Sequence, residues 1–321
     1  MFVRICRGDH WSPGGTMLLF RLGSGEFVPC TARAAGRRPY IYAVTSYVKF
    51  QFIDPFTEQQ GEFMTIHNTS PIAVFDSGVG GISVLRHLRH LMPGEHYLYF
   101  GDSANAPYGS RTTEDVRQLT LAAAEKLTRR GIKALVIACN TATAAAVRDV
   151  RERYPDLIII GIEPALKLAA DHYPGGRIGV MATEVTLREE KFDTLLHRFD
   201  ENCTVAKIPA PGLVQLIEAG KADAPETEAL LHTILAPYVG KLDALVLGCT
   251  HYPFAAKAIS RILGESVVLL DGGEGTARET RRRLREAGLL SEESNGTVTL
   301  ESSAENSNMA CLSAELLHRE W

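Results

Sequence analysis

The sequence predicts an α/β protein: two pseudo-symmetric parallel-sheet α/β domains facing each other across an active-site cleft. Three observations predict it. From residue 69 onward, short apolar runs alternate with helical patterns, as in parallel strands covered by helices. One strand pattern occurs twice. Ala134-Leu-Val-Ile-Ala-Cys139-Asn-Thr141 and Ala244-Leu-Val-Leu-Gly-Cys249-Thr-His251 begin alike, and each delivers a cysteine, at an offset of 110 residues. The repeat also extends beyond these segments. Pro71-Ile-Ala-Val-Phe-Asp76 resembles Arg177-Ile-Gly-Val-Met-Ala182 about 106 residues later, and Glu163-Pro-Ala and Asp271-Gly-Gly occupy matching places.

Taken in order, the strand-like runs are Ile72–Phe75, Tyr97–Phe100, Ala134–Ala138 and Leu157–Ile162 in the first half. Arg177–Met181, Thr204–Ile208, Ala244–Leu247 and Val267–Leu270 follow in the second. Each is short and apolar, as strands buried on both faces are. Helical patterns fill the gaps, among them Thr113–Arg130, Thr141–Tyr154, Leu187–Phe199 and Thr276–Ala287. A last strand, Thr297–Leu300, and a helix, Ala304–Arg319, are expected to return to the first half. The expected division is an N-terminal extension over 1–68, a first domain over 69–165 plus 271–321, and a second over 166–270. The opening 63 residues mix isolated aromatics, Gly-Pro turns and scattered Arg without a sustained period. Met64 is therefore read as the natural start, with an accessory segment that docks on the body as the alternative.

Composition narrows the class. Of 321 residues, 45% are hydrophobic and 22% charged, which describes a soluble globular chain. A net charge of −4 gives no electrostatic case for nucleic acid. No apolar stretch approaches the ~20 residues of a membrane span, and no secretory signal is evident. Six cysteines without CxxC spacing are read as reduced, in a cytoplasmic protein.

The polar motifs all follow strands, at the end of a parallel sheet where ligands bind. Asp76-Ser77-Gly-Val-Gly-Gly81 reads as a turn whose glycines let backbone N–H groups approach a small anion. It completes neither GxGxxG nor a Walker motif, and helix capping by Asp76 or Ser77 is the alternative. Gly101-Asp102-Ser103-Ala-Asn-Ala-Pro107-Tyr108-Gly109 offers a carboxylate, a phenol and backbone donors. Cys139-Asn140-Thr141 places a thiol at a helix start, where the dipole favours thiolate over the ordinary pKa of ~8.5. One such cysteine would be read as inert. The second, in Cys249-Thr250-His251-Tyr252-Pro253, has an imidazole two residues on that can support thiolate or shuttle a proton. Zinc held by Cys139, Cys249, His251 and Asp76 is the rival, disfavoured by spacing. Glu163 is either a support for the site or a turn carboxylate.

Together, Phe75-Asp76-Ser77-Gly-Val-Gly-Gly81, Gly101-Asp102 with Pro107-Tyr108-Gly109, Ala138-Cys139-Asn140-Thr141-Ala-Thr143 and Leu247-Gly-Cys249-Thr250-His251-Tyr-Pro253 resemble glutamate racemases of the cofactor-independent aspartate/glutamate racemase family. The resemblance covers roughly residues 69–321. It implies interconversion of L- and D-glutamate without a cofactor or metal, supplying D-glutamate for peptidoglycan. It also implies that Cys139 and Cys249 exchange the proton on opposite faces of Cα. Asp76 and Glu163 would assist the first thiol and His251 the second. Substrate contacts would come from Asp76, Ser77, Tyr108, Gly109, Asn140, Thr141, Thr250 and His251. The sequence departs from the family at Ala210, where a cysteine is common, and at Ser103-Ala-Asn-Ala, where a basic variant is commoner. The partner implied is the small molecule glutamate, with no nucleic acid or membrane; oligomeric state is not set, and a homodimer is one option.

The residues support the same chemistry. Racemisation takes a proton from one face of a carbon and returns one to the other, so two bases are needed. The competing readings are the same reaction on aspartate, a one-sided thiol decarboxylase, a two-domain solute-binding protein and a disulfide redox protein. A decarboxylase would need only one of the two cysteines, and the redox reading lacks CxxC.

Overall fold

Buried apolar strands need partners on both edges and cover on both faces, and this chain supplies them in two parallel sheets. The computed structural model describes residues 66–321 apart from 164, 189–202, 305–306 and 320–321. Within the first 65 residues it describes only strands β1 (Val3–Ile5), β2 (Leu18–Arg21), β3 (Phe27–Cys30) and β4 (Val48–Phe50). The expectation that the chain starts at Met64 lies outside the described residues.

The first sheet gathers β5 (Ile72–Asp76), β6 (Tyr97–Gly101), β7 (Ala134–Ile137), β8 (Ile158–Gly161) and β13 (Val298–Ser302). Its order is β4-β13-β6-β5-β7-β8, and every pair in it is parallel. The second sheet holds β9 (Arg177–Ala182), β10 (Thr204–Pro209), β11 (Ala244–Leu247) and β12 (Val268–Asp271). It is also parallel, in the order β10-β9-β11-β12. Strands β1–β3 pair antiparallel in a separate small sheet.

The sequence repeat is a repeat of register. Ile72 pairs with Ala134 in the first sheet, and Ile178 with Ala244 in the second. Phe75 sits opposite Ile137, and Met181 opposite Leu247. Each half therefore delivers its cysteine one strand away from a polar turn, Asp76-Ser77 in one case and Ala182-Thr183 in the other.

The helices among the described residues are α1 (Ile82–Leu91), α2 (Thr113–Thr128), α3 (Asn140–Arg153), α4 (Leu166–His172), α5 (Glu184–Arg188), α6 (Leu213–Glu218), α7 (Pro225–Leu235), α8 (Ala256–Leu263), α9 (Gly273–Glu286) and α10 (Ser307–His318). Most of the helix expected over Leu187–Phe199 lies outside the described residues. Helix α3 begins at Asn140 because the Cys139 sulfur caps it, accepting the Ala142 N–H at 3.4 Å. Helix α2 starts where Thr112 Oγ1 accepts the Asp115 N–H.

One apolar core runs from Ile72, Val74 and Leu85 of the first half to Leu245, Tyr252 and Ile259 of the second. Each such side chain contributes ~1.5–3 kcal/mol on burial. At the floor of the first sheet, fully buried Lys133 is paired with Glu95. Lys133 Nζ also donates to the Leu289 and Asn68 carbonyls, and Glu95 accepts the Ser291 N–H at 2.8 Å. A buried ion pair tolerates desolvation only when its remaining hydrogen-bonding groups are met in this way.

Candidate active site

Both cysteines lie at the carboxyl ends of their sheets and both are buried, Cys139 5% and Cys249 7% exposed. They face one site, close enough that a charge on Cys249 raises the pKa of Cys139.

On the first side, the Cys139 thiol donates to Ser77 Oγ across 3.6 Å. Asp76, wholly buried at the end of β5, accepts the Gly78 N–H at 3.0 Å and the Thr250 hydroxyl at 2.9 Å. The second bond crosses from one half to the other. Burial pushes the Asp76 carboxyl up; His251, the Gly78 N–H and Thr250 offset this in part.

The sequence expectation of a helix-stabilised thiolate at Cys139 is reversed. Burial, reinforced by the Asp76 charge, pushes this thiol up to about 12. The Ala142 N–H and Ser77 act the other way and lose. A helix terminus contributes at most ~2 kcal/mol, less than the cost of a sulfur anion desolvated beside a carboxylate.

The second side is built differently. Cys249 Sγ lies 3.7 Å from His251 Nδ1, and His251 Nε2 lies 2.6 Å from Glu218 Oε1. Burial alone would lower the imidazole pKa, but hydrogen bonds and charge from Cys249 and Glu218 hold it well above its ordinary value. His251 is therefore cationic, donating one N–H towards the sulfur and the other to the carboxylate.

Glu218 comes from the end of α6 and also accepts the Val79 N–H from the glycine loop, at 2.8 Å. The backbone of that loop thus meets an anion from within the chain. Its glycines are needed for the approach: a Cβ on Gly78 would overlap the Glu218 carboxylate, and one on Gly80 would overlap His251 and Thr250. Below the loop, the buried Tyr99 hydroxyl donates to the Gly78 carbonyl at 2.6 Å. Ser83 Oγ donates to the Thr250 carbonyl at 2.9 Å, a second tie between the halves.

The structure brings together most of the residues singled out from sequence: Asp76, Ser77, Cys139, Cys249, Thr250 and His251. Asn140 and Thr141 open α3 beside them, both buried. The Asn140 amide has no hydrogen bond among the described residues and is available to a ligand. Tyr108 is buried, and its hydroxyl donates to Asp102 at 2.7 Å. Gly109 packs against Thr183, where a Cβ would come within 2.8 Å. Glu163 is exposed at the end of β8, and among the described residues nothing ties its side chain to either thiol.

Three residues were missed from sequence. One is Glu218, whose carboxylate meets His251. Thr183 and Thr186 from the second half form a hydroxyl cluster with Thr141, at 3.2 and 3.3 Å from it and 3.0 Å from each other. A signal for Thr183 was present, since the 106-residue repeat sets it in register with Ser77. Glu218 carries no comparable signal.

Fold and site together define a two-sheet α/β enzyme with two buried thiols, an imidazole and carboxylates gathered between pseudo-symmetric halves. The comparisons make the class specific: the chain belongs to the Asp/Glu/hydantoin racemase family, whose sequence model matches residues 81–280, and it is an isomerase of that kind. A glutamate racemase of Clostridium perfringens is 47% identical over 250 residues, 77% of this chain and 96% of that one. Among solved structures, the Bacillus anthracis glutamate racemase isoform RacE1 superposes with a TM-score of 0.72 at 32% identity, covering 79% of this chain and 96% of that one. A Francisella tularensis glutamate racemase in complex with D-glutamate gives a TM-score of 0.70 at 28% identity, covering 79% and 95%.

Proposed function

We propose that this protein interconverts L- and D-glutamate by a two-base mechanism, with Cys139 on one face of Cα and Cys249 on the other. The observation that carries the reading is the pair of buried strand-end sulfurs, one from each half, converging on one site with unequal surroundings. The Clostridium, Bacillus and Francisella relatives are glutamate racemases by name, which supports glutamate as the substrate.

Cys139 is suited to the part of the acid, and Cys249, facing the His251 ring, to that of the base. For one enantiomer, Cys249 takes the Cα proton and the electron pair passes into the α-carboxylate. Cys139 then delivers its proton to the opposite face, and the two sulfurs exchange states. The other enantiomer runs the same steps backwards from the exchanged state. Asn140, Thr141 and Thr250, with the N–H groups that open α3, are suited to hold the carboxylate that gathers charge. Asp76 positions Thr250 and keeps Cys139 protonated, and Glu218 holds His251 in its cationic form. The halves 69–165 plus 271–321 and 166–270 close over the substrate and keep bulk water from the carbanion-like centre. The role that follows is supply of D-glutamate for cell-wall peptidoglycan from the cytoplasm.

The test is incubation in D₂O with L-glutamate, and separately with L-aspartate, following optical rotation and Cα deuteration together. Loss of rotation with deuterium uptake from glutamate alone is expected. The same outcome from aspartate would move the substrate, and no exchange from either would overturn the reading.

A further inference from the structure

The two cysteines are held in place by different means. Cys139 is fixed by its own half. Its sulfur caps α3, a helix of 14 residues, and Thr143 Oγ1 ties the first turn of that helix back to the Ile137 carbonyl at 3.1 Å. Cys249 caps no helix. Between it and α8 lies a short 3₁₀ turn, Tyr252–Ala255, which begins without a side-chain cap and contains Pro253. Short turns of this kind have poorer internal hydrogen bonding than an α-helix, so the place of Cys249 depends on what packs against the turn.

Two supports come from the opposite half, and both fall on Thr250, the residue between Cys249 and His251. Its hydroxyl donates to Asp76 Oδ2 at 2.9 Å, and its carbonyl accepts from Ser83 Oγ at 2.9 Å. The first bond fixes the side chain. The second fixes the planar peptide that leads into His251. Asp76 bears on both thiols, since its charge adds to burial in raising Cys139. Ser83 is neutral, and its hydroxyl reaches the backbone of the turn rather than a sulfur.

A serine in the first turn of a helix ordinarily bonds to its own neighbouring backbone. Ser83 is the second residue of α1, yet α1 has no side-chain cap, and the hydroxyl spans 167 residues of sequence to reach Thr250. Both residues are buried, so no water stands ready to replace the bond if it is lost. The glycine loop that leads into α1 is pressed against the same turn, where a Cβ on Gly80 would lie 2.4 Å from Thr250 Oγ1 and from His251 Nδ1.

We propose that Ser83 is a positioning residue for the second thiol: by holding the Thr250 carbonyl it keeps Cys249 and His251 paired at 3.7 Å and aimed at the substrate. The inference rests on the two-thiol racemase reading and adds to it a residue from the opposite half. Proton transfer at Cα is sensitive to such placement, because a displacement of ~1 Å can cost ~100-fold in rate.

The test compares the wild-type chain with Ser83→Ala and Ser83→Thr by racemisation kinetics, by NMR of His251 against pH and by Tm. Ser83→Ala should lose ~10-fold or more in kcat/KM. His251 should also titrate lower in it, because the Cys249 hydrogen bond, ahead of Glu218, holds the imidazole pKa up against burial. Ser83→Thr keeps the hydroxyl and should restore both readouts. Should Ser83→Ala fail to fold, Ser83→Cys, which fills the space with a weak donor, should show the same two changes to a smaller extent. A folded variant that loses Tm but keeps wild-type kcat/KM and His251 titration would make Ser83 structural only and overturn the proposal. So would a folded Ser83→Thr that loses as much as the alanine variant. A wild-type chain that does not racemise would instead overturn the two-thiol reading, and this proposal with it.

Discussion

The two cysteines arrive on duplicated strands in duplicated register, yet their surroundings are opposite in kind. Cys139 caps a long helix and faces a hydroxyl, with a buried carboxylate behind it, so it is kept protonated. Cys249 enters a tight turn, Tyr252–Ala255, and faces an imidazolium held by Glu218. Duplication fixes where a sulfur sits. Its protonation state depends on neighbours that the repeat does not copy, and two of the deciding bonds cross between the halves, from Thr250 to Asp76 and from Val79 to Glu218. A two-base site needs this inequality, because one sulfur must be acid while the other is base.

The hardest test of the comparison removes one sulfur at a time. Cys139→Ala and Cys249→Ala should each lower racemisation by ~10³-fold or more, in the range set by loss of a general acid or base. Both variants should keep wild-type far-UV circular dichroism. Racemisation near the wild-type rate by either one sinks the two-thiol mechanism.

Glu218→Gln separates the second side from the first. It leaves His251 a hydrogen-bond partner without charge, so the imidazole pKa should fall. An activity loss of ~10–100-fold is expected, as for a mispositioned reacting group. His251 followed by NMR against pH should titrate lower in the variant than in the wild-type chain. Glu163→Gln should leave both readouts unchanged; an equal loss there would return the supporting role to the exposed carboxylate.

Asp76→Asn sharpens the first side through stability. The folded-state pKa of Asp76 lies above its ordinary 3.8, so the native state holds its proton more tightly than the unfolded chain does. Its stabilisation is complete below 3.8 and is lost as pH rises through the folded value. At neutral pH the buried charge is therefore a cost, and the amide removes it. The variant should be more stable than wild type by about 1–3 kcal/mol at pH 7, with the gain shrinking towards pH 4, while activity falls. A gain in Tm that does not change with pH would contradict the assignment.

These contrasts also show what could be read from the chain before its structure. Unbroken apolar runs such as Ile72–Phe75 and Ala244–Leu247 specify buried parallel strands by themselves, and the repeated cysteine segment places both sulfurs. The cluster of Asp76, Thr250 and His251 was legible because each residue follows a strand. Glu218 was not, because it ends a short helix, Leu213–Glu218, in a stretch that reads as ordinary amphipathic surface. Its place beside His251 comes from a fold-made meeting with a loop 139 residues away. The raised thiol of Cys139 was illegible for a related reason. Helix position is written in local sequence, whereas burial beside Asp76 belongs to the assembled site.

The smallest expected effect is the most informative about how the two sides are joined. Tyr99 touches neither sulfur, but its hydroxyl fixes the Gly78 carbonyl, the next N–H fixes Glu218, and Glu218 fixes His251 beside Cys249. Tyr99→Phe removes one buried hydrogen bond, worth ~1 kcal/mol, and should lower kcat/KM about fivefold. A racemisation between enantiomers of equal free energy must lose kcat/KM equally in both directions, so rates alone cannot say which face is affected. Isotope effects can. With Cα-deuterated substrates, slowing the transfer at Cys249 should raise the primary isotope effect for the enantiomer whose deuterium that sulfur takes, and lower it for the other. If Tyr99 only stabilises the fold, Tm falls and the two isotope effects stay as they are in the wild-type protein.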